Sequence, residues 1–201
     1  EERPLVFGGN DRPGVMTVSA VGTYANRFGV AAGKSVAIFT NGNAGYRTAA
    51  DLVRHGVDIA AIIDTRSDAP AVGDLKDVRI IKGAGIVDTM GGQRLSKLVF
   101  ERSGYEEVIA CDAIGMSGGF NPVIHLACQR GARPVWSNEL DTFLAPDVGG
   151  GLSIAGAAAG RYSLSACLAD GAEKAATIAT DLGFAVKADE APAVGEEVAP
   201  S

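Results

Sequence analysis

Residues 35–64 read SVAIFTNGNAGYRTAADLVRHGVDIAAIID. Ser35–Phe39 is an apolar run with the length of a buried strand, and Thr40–Gly45 is a turn of small residues. Tyr46–His55 follows as a helix with Ala49, Leu52 and Val53 on one face, and Gly56 ends it. Asp58–Ile63 is a second buried strand that closes at Asp64. Two buried strands joined through a helix require a right-handed parallel crossover, so the chain is α/β.

Working outward, Asn10–Pro13 reads as a loop entering a helix over Gly14–Phe28. Asp11 is placed to cap it, Pro13 fits the first turn, and Val15, Val18, Val21 and Tyr24 recur at helical spacing. Downstream, Asp77–Lys82 is a third strand, and Gly85–Met90 with Gln93–Arg102 forms a hairpin about Gly91-Gly92. Glu107–Ile114 is a further strand, Ser117–Asn121 a Gly-rich turn, Pro122–Arg130 a short helix, and Pro134–Trp136 part of a short strand. Leu152–Ala155 is a last buried strand. Gly156–Gly160 turns into an Ala-rich helix over about Arg161–Leu182, which Gly183 ends. The pattern divides into a self-contained nucleotide-fold domain at 33–103 and a second domain built from 1–32 and 104–186, with 187–201 as a linker or tail rich in Ala, Glu and Pro.

Composition narrows the function. The 201 residues are 47% hydrophobic and 21% charged, the balance of a chain with a real core. Eighteen basic against 24 acidic residues give a net charge of −6, which argues against a nucleic-acid surface. No apolar run approaches the roughly 18 residues of a membrane span. Cys111, Cys128 and Cys167 are far apart and odd in number, which fits a reducing cytoplasm better than a disulfide framework. With only His55 and His125, a His-rich metal site is excluded. The opening Glu1-Glu2-Arg3-Pro4 has no initiator Met and reads as the start of an excised piece of a longer polypeptide.

Two turns can hold a nucleotide. Thr40-Asn41-Gly42-Asn43-Ala44-Gly45 matches G-x-G-x-x-G with Thr in the first place. Gly42 lets a pyrophosphate approach backbone N–H groups at a helix start, and Gly45 lets the helix pack close to the strand. Asp64, 22 positions after Gly42, can accept hydrogen bonds from a ribose diol and would repel a 2′-phosphate, which favours NAD over NADP. The other reading is a βαβ unit that keeps the fold and binds nothing. The second turn is Leu152–Gly160 leading to Arg161-Tyr162-Ser163-Leu164. In flavoprotein reductases with two dinucleotide-binding domains, a strand there ends in Gly-Asp, and the Asp bonds the ribityl chain of FAD. Here Gly156 is followed by Ala157, which cannot make that bond. Cys111 and Cys128 read as inert core, His55 as a helix-end residue, and nothing resembles a Ser-His-Asp set or a P-loop.

Arg3–Phe7, Gly9–Met16, Cys111-Asp112, Gly115–Pro122, Leu126, Gly156–Gly160 and Ala169-Asp170-Gly171 stand in an order that resembles the α subunit of heterotetrameric sarcosine oxidase. The likeness extends over about residues 1–185 and is weaker to α subunits of opine and proline dehydrogenases. It implies a fold like that of the two-domain flavoprotein reductases, a Rossmann-type parallel sheet with a β-hairpin. It implies an enzyme that demethylates sarcosine to glycine with tetrahydrofolate and O2, making hydrogen peroxide. FAD would lie in the β subunit, FMN between α and β, and γ and δ subunits would complete the heterotetramer. The α subunit would hold NAD where reductases hold FAD. Gly156, Ala157 and the following turn with Ser163 would then contact NAD, and Tyr162 and Leu164 would pack on its nicotinamide side. Thr40, Gly42, Gly45 and Asp64 would belong to the second nucleotide domain. Two rival functions remain on these residues: an NADH-dependent flavoprotein reductase working through Gly42, Gly45 and Asp64, and a scaffold whose nucleotide folds are both vestigial.

Overall fold

A computed structural model of the protein describes residues 1–69, 75–186 and 191–195. The expected linker at 187–201 lies largely outside the described residues. The chain divides into two compact units, one of Glu2–Gly119 and one of Glu1 with Phe120 onward.

The Glu2–Gly119 unit runs β1 (Val15–Thr17), α1 (Val18–Phe28), β2 (Ser35–Thr40), α2 (Asn43–Arg54), β3 (Asp58–Asp64), β4 (Ile80–Lys82), β5 (Ala84–Gly91), β6 (Leu95–Arg102), β7 (Tyr105–Ala110) and β8 (Ala113–Ser117). Five strands form a parallel sheet in the order β1-β8-β2-β3-β4. The other three, β5-β6-β7, form an antiparallel sheet. Successive residues of a strand face opposite ways. Val36 and Ile38 therefore join Val18, Val21, Tyr46, Ala49 and Leu52 beneath α1 and α2. Ala37 and Phe39 join Ile63, Ile114, Leu98 and Phe100 on the face covered by the antiparallel sheet. Strand β2 is covered on both faces, which is why it reads as a continuous apolar run.

Three expectations are corrected here. The helix expected from Gly14 begins at Val18. Val15–Thr17 instead pairs in parallel with Ile114, Gly115 and Met116, so sheet pairing overrides the helical spacing. Thr17, not Asp11, caps α1: its side chain accepts from the Ala20 N–H, and Gly29 in the left-handed region (φ 64°) closes the far end. The single strand expected at Glu107–Ile114 is two strands in two sheets. Cys111 N–H still bonds Ser96 O on β6, whereas Asp112 N–H bonds Ser35 O at the start of β2. Strands β1 and β8 complete the parallel sheet and lie in the compact unit of Glu2–Gly119.

The second unit contains α3 (His125–Gln129), the hairpin β9 (Val135–Ser137) with β10 (Thr142–Leu144), a 3-10 turn at Gly156–Ala159 and α4 (Leu164–Asp181). Leu152–Ala155 is not the buried strand expected. Its residues are half-buried, and among the described residues only the bridge Gly149–Leu152 touches it, so no ladder supports an extended run. Helix α4 starts at Leu164 because the Ser163 hydroxyl caps it by accepting from Ala166 N–H.

At the crossing between sheets, the Asp112 carboxylate accepts from Lys34 N–H (3.0 Å) and Ser35 N–H (2.9 Å). Partial burial works against its charge, but the Ser35 and Lys34 amides outweigh this and hold its pKa below the usual carboxylate value. A depressed pKa gives stability that is complete above the unfolded value of about 3.9 and is lost as pH falls through the folded value. Asp112→Ala should therefore lower the unfolding midpoint at pH 7, and the gap from wild type should narrow below about pH 4. Urea titrations from pH 7 to 3 measure this, and a gap independent of pH refutes the role.

Candidate nucleotide sites

The register of the parallel sheet sets Ser117, Thr40, Asp64 and Lys82 in one row across β8, β2, β3 and β4 at the C-terminal edge. In open α/β sheets this edge is where ligands bind. The Thr40-to-Gly45 turn and Asp64 are brought together there as the sequence pattern requires.

The details differ from a bare glycine turn. The Thr40 hydroxyl accepts from Gly42 N–H (3.1 Å) and donates to Gly42 O (2.9 Å). Gly42 is the residue before α2, and no side chain caps the helix in the usual way. Gly45 faces the strand closely: a Cβ there would lie 2.7 Å from Thr40 Cβ. Asp64 is fully buried. Its Oδ1 accepts from Arg66 N–H (2.9 Å) and Nε–H (3.2 Å), and its Oδ2 accepts from an Arg66 terminal N–H (2.9 Å). The same end of Arg66 donates to Asn43 Oδ1 at 3.1 Å. Hydrogen bonding to Asp64 raises the Arg66 pKa further. Burial first, and the Asp64 carboxylate second, push the Tyr46 hydroxyl well above its ordinary value and keep it neutral. The Ser117 hydroxyl is buried at the same edge without a hydrogen-bond partner among the described residues.

In the second unit, Gly156 opens the 3-10 turn at φ 62°, a left-handed conformation that favours glycine. Its N–H donates to Asp170 Oδ2 of α4 at 2.7 Å, and its carbonyl accepts from Arg161 N–H at 3.0 Å. Ala157 is exposed. The Tyr162 hydroxyl donates to Phe120 O (3.0 Å), Ser163 caps α4, and Leu164 at its first position is 54% exposed. Gly160 lies close beneath Leu140 and Leu144 of the hairpin segment. No acidic residue occupies the first turn of α4 or of α2.

Arg66 and Asp170 are the site residues that sequence reading missed. Asp-x-Arg at a strand end was the available signal for Arg66. Asp170 stood inside the quoted Ala169-Asp170-Gly171 but carried no role. Of the other residues considered, Cys111 is buried, and burial, then Asp112, pushes its thiol up to about 12, so it is inert. His55 bonds Asn26 Oδ1 at 2.8 Å, and His125 is exposed at the start of α3. Among the described residues no group of His, Cys, Asp or Glu is arranged to hold a metal, and no helix is long and apolar enough to cross a membrane.

A parallel sheet covered by helices on one face and an antiparallel sheet on the other, with glycine turns at strand ends, is the architecture of the FAD/NAD-binding reductases. Among solved structures the chain matches L-proline dehydrogenase from P. horikoshii (TM-score 0.68, 18% identity, 92% of this chain and 34% of that one). It also matches Lactococcus lactis thioredoxin reductase (TM-score 0.62, 14% identity, 90% and 64%). Mycobacterium tuberculosis FprA in complex with NADPH matches at TM-score 0.58 (13% identity, 90% and 61%). In sequence it is 50% identical over 186 residues to sarcosine oxidase subunit alpha of Rhizobium meliloti (strain 1021), and 35% identical over 196 residues to that of Corynebacterium sp. (strain P-1). These alignments cover 92% and 91% of this chain but only 18% and 20% of those proteins, so the chain spans about a fifth of the curated relatives it matches. No family model matches. Over that stretch the chain is similar in sequence to sarcosine oxidase alpha subunits.

The Gly45–Thr40 contact makes a direct prediction. Gly45→Ala should cost about 1–3 kcal/mol through overpacking. Most of that cost should disappear in a Thr40→Gly background, since the clash is with the Thr40 side chain. Equal costs in both backgrounds, read from urea unfolding, would show that the close approach is not what the glycine serves.

Proposed function

We propose that this chain is a nucleotide-holding part of a sarcosine oxidase-type α subunit and helps to form an NAD pocket around Gly156. The observation that carries the reading is the Gly156–Ala157 turn. Its glycine is left-handed, its neighbour presents a methyl group, and the nearby carboxylate, Asp170, is turned onto the Gly156 N–H. The left-handed glycine and the small Ala157 side chain allow a nucleotide to approach the backbone closely, and Ala157 offers no acceptor for the hydroxyls of a ribityl chain. This fits NAD in the place where reductases hold FAD, and the identity to sarcosine oxidase alpha subunits supports it.

NAD is a hydride carrier when it turns over; here the chain's own residues bind and orient it. Gly156, Ala157 and Ser163 would approach the nucleotide. Tyr162, whose hydroxyl donates to Phe120 O, and Leu164 would line the nicotinamide side. None of these residues is a general acid or base, so this part catalyses nothing alone. The oxidation of sarcosine to glycine, with transfer of the one-carbon unit to tetrahydrofolate and reduction of O2 to hydrogen peroxide, belongs to the whole complex. That complex would contain β, γ and δ subunits, FAD in β and FMN between α and β, in the cytoplasm.

Nucleotides released by denaturing the complete complex test the reading. One NAD per α subunit is expected. Ala157→Trp should reduce it more than about tenfold while FMN content stays constant. FAD in place of NAD, or NAD content unchanged in Ala157→Trp, overturns the assignment.

A further inference from the structure

We infer that Arg66 and Thr40 hold, from inside the chain, the two recognition points of the Thr40–Gly45 turn, and thereby determine that this unit reads no dinucleotide. The first point is the carboxylate at the end of β3. To accept from a ribose diol it needs free lone pairs directed outward. Asp64 has no exposed surface, and both its oxygens already accept from Arg66 in a two-pronged arrangement with a third bond from the Arg66 backbone. Two parallel N–H donors on one carboxylate take the geometry that two ribose hydroxyls would take. The guanidinium is fixed from its other side by Asn43 Oδ1, on the first residue of α2, so it cannot swing away without leaving two partners.

The second point is the Gly42 amide, the donor that a glycine turn offers to a pyrophosphate. Thr40 stands where the fingerprint has its first glycine, and its hydroxyl takes that N–H and returns its own proton to Gly42 O. The start of α1, at the same edge of the sheet, is treated alike: Glu2 Oε2 accepts from Ser19 N–H at 2.8 Å and from the Ser19 hydroxyl. Internal side chains thus stand at each of the three places: the Arg66 guanidinium, the Thr40 hydroxyl and the Glu2 carboxylate. Arg66 acts on specificity as well. With its charge against Asp64, the pair neither attracts a 2′-hydroxyl nor repels a 2′-phosphate, so the NAD preference implied by Asp64 alone is cancelled.

The test uses the complete complex and reads only the peptides of this unit, so its outcome does not depend on which nucleotide lies at Gly156. Hydrogen exchange over residues 40–54 is measured with millimolar ADP and with millimolar pyrophosphate, which lacks a ribose. In wild type neither should alter exchange; protection by ADP overturns the inference. Arg66→Ser leaves Asp64 buried without its partner and should lower the unfolding temperature of this unit. ADP should restore that stability and protect 40–54, because a ligand bound only to the folded form stabilises it, whereas pyrophosphate should not. Equal rescue by both, or rescue by neither in a folded variant, refutes Arg66 as the determinant. If Arg66→Ser does not fold, Thr40→Gly decides. It frees the Gly42 amide but keeps the ion pair, so ADP should bind within about threefold of pyrophosphate. A tenfold or greater preference for ADP would mean that Asp64 still reads ribose.

Discussion

The fold of the Glu2–Gly119 unit depends on one interaction, the Asp112 carboxylate on the Lys34 and Ser35 amides. Strand β7 belongs to the antiparallel sheet, and β8 must enter the parallel sheet between β1 and β2, a change of partner within two residues. A carboxylate that captures the first amides of β2 fixes where β8 begins and sets its register: Ala113 against Val36, Ser117 against Thr40. Were the register one residue different, Ile114 and Met116 would face the helices and Gly115 would leave the position where Ile38, Val18 and Val21 crowd it. The edge row that carries the nucleotide turn is therefore a consequence of the crossing at Asp112.

How much of this was legible in the sequence follows from range. Strand β2, helix α2 and strand β3 are specified by local periodicity, and Gly45 by the fingerprint spacing; both are properties of short windows. Val15–Thr17 looked helical because its apolar spacing continues that of α1, and only the distant Ile114–Met116 makes it a strand. Glu107–Ile114 looked continuous because a strand's pattern does not change when its neighbour does. Leu152–Ala155 has the composition of a strand without a partner to pair with among the described residues. The site shows the same division. Thr40, Gly42, Gly45 and Asp64 converge as their spacing implies, but the direction of the Arg66 side chain and the reach of Asp170 to an amide fourteen residues earlier are set by tertiary packing.

The two glycine turns share a physical device. Each has a nearby carboxylate that the chain itself engages: Asp64 on both oxygens by Arg66, Asp170 on one oxygen by the Gly156 N–H. What a ligand meets at each turn is also set by shape. At Gly156 that shape includes an exposed methyl beside a left-handed glycine, which is compatible with close approach of a phosphate-bearing ligand. At Thr40 the side chain that closes the turn also fills the groove beneath Gly45, so shape and hydrogen bonding both oppose entry.

This explains why an ion pair with a fully buried carboxylate persists where a ribose reader would stand. Replacing such a pair by apolar residues is often neutral or stabilising, so stability alone does not account for it. Its geometry does: Arg66 bonds β3 through Asp64 and α2 through Asn43, the residue at which the helix begins. The guanidinium fixes the helix start relative to the strand end, a position that Gly45 makes close and Thr40 makes exact in register. A bound nucleotide does the same work in a working dinucleotide fold, bridging the helix start and the second strand. With an internal cation in that bridge, the βαβ unit keeps its geometry without a ligand.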